Sequence, residues 1–340
     1  MKRFTALLLL LSLLLLTACT SSVQTPDGLA PSDSERLVLY TSHKKEVWWP
    51  IVKEFESRTG LWVQVVEGGT NELLETIRSG KADPIPDLMF GGGVESLEAN
   101  ASLFSPYICA QADRLLPQYR SGEDLWTPFS ALPLVLIYNP KLLSPDSLTG
   151  WSDLLKPSLH GRIAFADPAV SGSSYTALVT LLEALGGDHD TVLREFARNL
   201  DGKQLPSSGD VLSAVASGEC SVGVTLEETA SRRIAAGEQL AMVYPADGTS
   251  CVSDGCAILV GARHPENAKK FVDFTVSRDV QQLLQDQFCR RPVRDGLEPS
   301  ASLPDLAAIA QVDYNLRWAS EHRDSLLMSW AFYLGSEEEE

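Results

Sequence analysis

Between residues 37 and 93, short β-type runs alternate with helical stretches, and this alternation limits the fold more than any other feature. Leu37 to Thr41 is apolar and β-prone. From Lys45 onward, Val47, Trp48, Ile51, Val52 and Phe55 recur at helical spacing, and Gly60 suits the position just past that helix. Leu61 to Val66 predicts a second strand. Thr70 to Gly80 predicts a second helix with Leu73, Leu74 and Ile77 inward. Asp87 to Phe90 predicts a third strand, running into Gly91-Gly92-Gly93. Units of this kind build a mainly parallel sheet with helices on its faces. Ligands of such sheets gather beyond the carboxyl ends of the strands. Those ends are Thr41-Ser42-His43, Glu67-Gly68-Gly69-Thr70 and Gly91-Gly92-Gly93.

Further along, Leu132 to Tyr138 is a long apolar strand, and a second series begins after Trp151. It holds a strand over Arg162 to Ala166 and a loop, Val170 to Ser174, opening a helix over Tyr175 to Leu185. A helix over Val192 to Leu200 follows, and Ser207-Ser208-Gly209 precedes another over Asp210 to Ser217. Ser221 to Thr225 predicts a strand, with a helix from Glu227. Leu240 to Tyr244 and Gly255 to Val260 predict strands. Beyond Pro265 the pattern is helical, with one helix from about Asp313 to Leu334. A length of 340 residues suits two domains.

The chain carries 28 Lys+Arg against 45 Asp+Glu, and a formal charge of −17 disfavours nucleic-acid binding through phosphate repulsion. No HExxH, GxSxG, GxxxxGK[ST] or EF-hand spacing occurs, and the five histidines are scattered, so a binding protein rather than an enzyme is expected. Lys2 and Arg3 precede an apolar run, Phe4 to Leu16, shorter than the roughly 20 residues of a membrane span. Such a run reads as a secretory signal. It ends in Leu16-Thr17-Ala18-Cys19, which resembles the bacterial lipoprotein box. That resemblance implies a signal peptide over residues 1–18, lipid on Cys19, and a flexible tether over 19–35, rich in Ser, Thr, Pro, Asp and Gly. Export permits disulfides. The remaining cysteines are Cys109, Cys220, Cys251, Cys256 and Cys289, an odd number. Cys251 and Cys256, flanking Asp254-Gly255, are spaced to close a small loop.

As a whole, the chain resembles ABC-transporter solute-binding proteins of the iron(III)/phosphonate/sugar-phosphate cluster. The resemblance rests on Leu37 to His43, Val52-Lys53-Glu54-Phe55-Glu56, Pro86 to Gly92, Trp151 to Leu155 and Asp167-Pro168 with Ser173 to Ala177. Tyr244-Pro245, Asp247-Gly248-Thr249, Pro265 to Phe271 and Arg290 to Arg294 extend it. It implies an α/β, two-lobed type II periplasmic-binding-protein fold with two crossover hinge strands, 132–138 and 255–260. Lobe one would comprise residues 36–131 and 262–340, and lobe two residues 132–261. It also implies a monomer without cofactor that captures a small solute and delivers it to ABC permease subunits. The lipid would hold it at the cell membrane, on the periplasmic or outer face.

Iron binders of this cluster carry adjacent tyrosines where this chain resembles them at Glu227-Glu228, and no Tyr-Tyr pair occurs. Ferric iron, with His43 and Glu67 as further ligands, therefore stands as the alternative, beside a sensor that presents ligand to a membrane partner. The donor inventory suits an anion. Ser42, Thr70, Ser171, Ser173, Ser174 and Ser208 fall at strand ends or helix starts, where unpaired N–H groups bind phosphate. Gly92, Gly93 and Gly172 allow close backbone approach. Each hydroxyl could equally cap a helix. Asp210 and Glu227 would face the hydroxyls or amine of the solute's other end. The expected ligand is thus a small phosphorylated solute, a hexose phosphate first and an aminoalkylphosphonate second. His43 would donate to phosphate or cap the helix after it. Tyr175 would line the cleft or anchor its helix. Arg290, Arg291 and Arg294 would form a structural ion-pair cluster on the lobe-one surface.

Overall fold

Nine strands form one curled sheet in the computed structural model, which describes residues 31–335. The signal peptide, Cys19, most of the tether and the acidic residues 337–340 lie outside the described residues. β1 (Arg36–Thr41), α1 (Lys45–Thr59), β2 (Trp62–Glu67), α2 (Thr70–Arg78), β3 (Leu88–Gly93) and the short α3 (Val94–Glu98) follow the predicted alternation. β1 pairs in parallel with both β2 and β3. Val47, Trp48, Ile51, Val52 and Phe55 are buried on one face of α1, and Gly60 ends it in the left-handed conformation at φ 71°.

After β4 (Phe104–Ser105) comes β5 (Thr127–Tyr138), whose twelve residues serve two neighbourhoods. Further on lie β6 (Ile163–Ala164), α4 (Gly172–Leu185), α5 (His189–Leu200), α6 (Ser208–Ser217), β7 (Val222–Leu226), α7 (Glu227–Ala235), β8 (Ala241–Val243) and β9 (Cys251–Leu259). The sheet order is β2-β1-β3-β9-β5-β7-β6. The first half of β5, Thr127 to Pro133, pairs with β9, while Leu134 to Tyr138 pairs with β7. β9 in turn pairs with β3. The chain therefore passes between two sheet halves along β5 and β9, as the crossover strands of a two-lobed fold require.

Each half is covered on both faces. Around β1 to β3 and β9, one core holds Leu37, Ile51, Phe55, Phe90, Phe129 and Phe271, and another holds Tyr40, Leu73, Met89 and Trp126. Around the second half of β5, one core holds Leu136, Trp151, Phe165, Tyr175 and Phe196, and another holds Val135, Val211 and Val215. Near-continuous apolar strands such as β5 are what two-sided coverage produces.

Four expectations change. The predicted helix from Asp313 to Leu334 is two, α10 (Leu316–Glu321) and α11 (Arg323–Gly335), following α8 (Pro265–Thr275) and α9 (Arg278–Phe288). Residues 262–340 do not all belong with the first lobe: Leu326 and Trp330 of α11 pack into the core of the second. Trp330 lies 5.8 Å from the Phe165 ring and 5.6 Å from the Phe196 ring. Helix periodicity gives the apolar face of α11, but not which lobe receives it. β9 begins at Cys251 rather than Gly255, so Cys251 and Cys256 sit five positions apart on an extended strand. That spacing separates them by about 17 Å, far beyond disulfide reach, and both are free thiols, as is Cys109. Finally, α6 starts at Ser208, two residues early, because Ser207 caps it.

Candidate functional site

A cavity of about 500 Å³ opens between the lobes, at the carboxyl ends of β1, β2 and β3. Among the helices that reach it, three offer glycine- or hydroxyl-bearing starts. Gly69 and Thr70 begin α2 in the first lobe. Ser171, Gly172 and Ser173 begin α4, and Ser207, Ser208 and Gly209 begin α6, both in the second. Helix N-termini carry unpaired N–H groups and partial positive charge. Lys44 adds a formal charge: its Nζ stands 3.9 Å from where a Cβ on Gly209 would lie. Gly92 holds φ +96°, and a Cβ there would meet Thr70 Cγ2 at 2.7 Å, so only glycine leaves that wall open.

The structure separates caps from unengaged hydroxyls. Ser171 Oγ accepts from Ser174 N at 3.3 Å and from the Ser174 hydroxyl at 3.1 Å. Ser207 Oγ accepts from Asp210 N and donates to Asp210 Oδ2 at 2.7 Å. Ser42, Thr70 and Ser208 line the cavity, and no protein group among the described residues engages their hydroxyls.

Ser42, His43, Thr70, Gly92, Gly93, Ser171, Gly172, Ser173 and Ser208 come together at the cavity wall, whereas four other candidate residues do not. Ser174 is buried beneath its cap. Tyr175 is fully buried and donates to Ala319 O, anchoring α4 to the C-terminal segment. Asp210 is held by Ser207, since a carboxylate at the third helical position reaches back to the cap. Glu227 is 1% exposed and accepts from Arg291 Nε and Nη2, each at 2.7 Å, and from the Tyr244 hydroxyl.

Another part of the cavity lining carries charge that the sequence did not reveal. Glu228, Arg232, Asp254 and Arg290 line it, with Ser253 and Thr225. Arg290 donates to Asp254 Oδ2 at 2.7 Å and to Glu228 Oε1 at 3.3 Å. Asp254 also accepts from Ser130 N at 2.8 Å and Ser130 Oγ at 2.9 Å. Arg232 Nε stands 3.3 Å from Glu228 Oε2. Burial opposes the charge on Arg290, but Glu228 and Asp254 more than offset it and keep the guanidinium charged. The wall therefore alternates two carboxylates with two guanidiniums.

Arg290, Arg291 and Arg294 are ion-paired or hydrogen-bonded, but they are buried rather than on a surface. Arg290 and Arg291 reach from the segment after α9 to α7, so they join the lobes. His43 does not cap α1, whose N-cap is Lys44. Its ring packs against Phe90 and Phe129, and burial first, then Arg290, holds its pKa well below the usual histidine value. At neutral pH it is an uncharged imidazole, with Nε2 3.6 Å from Asp254 Oδ2.

Comparison with known proteins agrees with this architecture. A family model described as bacterial extracellular solute-binding protein matches residues 37–290. The structure of the periplasmic binding protein AfuA from Actinobacillus pleuropneumoniae, with exogenous fructose 6-phosphate bound, superposes with a TM-score of 0.81 and 26% identity. The match covers 89% of this chain and 99% of that one. Iron uptake protein A1 of Synechocystis is 26% identical over 310 residues, 85% of this chain and 84% of its own length. A putative 2-aminoethylphosphonate-binding periplasmic protein of Salmonella typhimurium is 22% identical over 80% of this chain and 83% of its own.

Proposed function

The chain belongs to the bacterial extracellular solute-binding proteins, and from that premise we propose that it captures a small phosphorylated organic solute, a hexose phosphate before an aminoalkylphosphonate, for an ABC importer. The observation that carries this reading is the convergence of three helix N-termini, with Lys44 and the unengaged hydroxyls of Ser42, Thr70 and Ser208, on one interlobe cavity. These groups complement a phosphate. The charged part of the lining sets two carboxylates against two guanidiniums, with donors and acceptors side by side, and matches a polyol, which both gives and takes hydrogen bonds. An ammonium would compete with Arg290 and Arg232 for the same two carboxylates, so we take the aminoalkylphosphonate as the second choice. The fructose 6-phosphate bound to AfuA, at 26% identity, supports the same order.

Ferric iron is the second reading, favoured by the similarity to Iron uptake protein A1. Against it, Glu227 and Glu228 are already engaged by Arg291 and Arg290. A metal would have to displace these guanidiniums.

Solute contacting both lobes shifts the population toward the closed form, which then docks on the permease. We place the protein outside the cytoplasm as a monomer, held to the membrane by lipid on Cys19; loss of palmitate labelling in Cys19→Ala checks the anchor. Calorimetric titration of the folded protein with glucose 6-phosphate, fructose 6-phosphate, 2-aminoethylphosphonate and Fe(III) tests the ligand. One hexose phosphate per chain, bound tighter than 2-aminoethylphosphonate, is the expected result. Heat from Fe(III) alone would discard it.

A further inference from the structure

Three of the carboxylates buried around the cleft, Glu227, Glu228 and Asp254, pair with guanidiniums. The fourth, Glu95 of α3, does not. It is 1% exposed and its partners are neutral: the Thr176 hydroxyl of α4 and, at 3.0 Å, the Tyr314 hydroxyl both donate to Oε1. Oε2 is buried with no hydrogen-bond partner. That oxygen lies directly behind the cavity wall, because a Cβ on Gly93 would meet it at 2.5 Å. Gly93 and Thr176 both line the cavity. An unpaired carboxylate thus backs the wall that offers the helix termini to an anion, and it touches groups from both lobes and from the C-terminal segment.

We propose that Glu95 sets the charge the cavity accepts, binding of an anionic solute being coupled to uptake of a proton by this carboxylate. This rests on the phosphorylated-solute reading above. Ionised, Glu95 repels a phosphate seated beyond Gly93. Protonated, it does not. The titratable and charged groups on elements packed against it are Glu98 on its own helix, Cys251, Asp254 and Cys256 on β9, and Tyr175 and Glu183 on α4. To these are added Tyr314, Arg317 and Glu321 of the segment leading into and forming α10, and Arg323 and Asp324 at the start of α11. Asp254 is matched by Arg290. The Arg323 charge acts on Glu95, yet its guanidinium lies over the Tyr175 ring at 5.2 Å and makes no ion pair with Glu95. Burial is the largest influence on Glu95 and raises its pKa, with Thr176, Tyr314 and Arg323 opposing.

The sign follows from linkage. A bound anion raises the pKa of Glu95 further. Affinity is therefore greatest below the pKa of the free protein, falls as pH rises through the interval between free and bound values, and is flat above it. Glucose 6-phosphate is titrated into wild type and Glu95→Gln from pH 5 to 8, in buffers of different ionisation enthalpy that count protons. The ester's own titration is common to both proteins, so their difference isolates Glu95. Across the interval in which Glu95 titrates, wild type should gain about tenfold more affinity than Glu95→Gln, one pK unit of coupling. It should also take up as much as one further proton. Tyr314→Phe removes a donor to the ionised form and should move the wild-type fall in affinity to higher pH. The same pH dependence and proton count in wild type and Glu95→Gln, or an unmoved Tyr314→Phe profile, overturns the coupling while leaving phosphate capture intact. A wild type that binds neither glucose 6-phosphate nor 2-aminoethylphosphonate at any pH removes the parent reading and this one with it.

Discussion

Arg291→Ala should cost about 3–5 kcal/mol of stability, with a fall in Tm of roughly 10 °C. The guanidinium supplies two hydrogen bonds of 2.7 Å to Glu227, which is 1% exposed. Without Arg291 the carboxylate keeps only the Tyr244 hydroxyl. Removing one partner of a buried pair leaves a charge stripped of water and of counterion, and that residue of cost dominates. The Arg291 backbone is anchored independently, since its carbonyl accepts from Ala131 N of β5 at 2.8 Å, so the loss is that of the side chain. Replacing both members, Arg291→Met with Glu227→Leu, should recover most of the stability, because no orphaned charge remains. Chemical denaturation of the two variants checks this. A change below about 1 kcal/mol in Arg291→Ala would mark the pair as one screened by solvent, as a surface cluster would be.

A buried pair of this kind is only half visible in local sequence. The Arg290 to Arg294 segment identifies its own charge, and an ion-pair role for it is readable. Its burial is not, because the partners lie 64 residues away at Glu227 and 36 away at Asp254. The tandem Glu227-Glu228 poses a related problem. Successive helical residues point about 100° apart, so one faces Arg291 and Tyr244 while the other faces the cavity. Nothing local tells which. Asp254 was hidden by its neighbours, since an acidic residue before glycine suggests a turn, whereas here it sits inside β9 and is matched by Arg290. By contrast, the first lobe was legible almost throughout. Strand runs, helical spacing and glycines are local signals, and they located Ser42, Thr70, Gly92 and Gly93 at the strand ends that line the cavity. The signal in the second lobe was the serine-rich loops before α4 and α6. It found the right turns but not which oxygens were already committed to capping.

Thr70→Val, on the function proposed here, should weaken glucose 6-phosphate binding by about 10- to 150-fold, the loss of one hydrogen bond to a charged group. Thr70 is 6% exposed, at the first position of α2, and lines the cavity. No protein group among the described residues engages its hydroxyl, so within the folded protein that oxygen has no structural task. Valine keeps the shape, and Thr70 Cγ2 keeps its close approach to Gly92, so thermal stability should hold within about 0.5 kcal/mol. Ser207→Ala is the opposite case on the same cavity rim. Its hydroxyl caps α6 and binds Asp210, so it should lose about 1 kcal/mol of stability, with binding reduced only as far as the first turn of α6 loosens. Measuring Kd and Tm on both variants separates a hydroxyl reserved for ligand from one spent on its own helix. If Thr70→Val binds as wild type while its Tm falls, the hydroxyl is structural. The anion must then be held elsewhere on the wall, by backbone N–H groups alone.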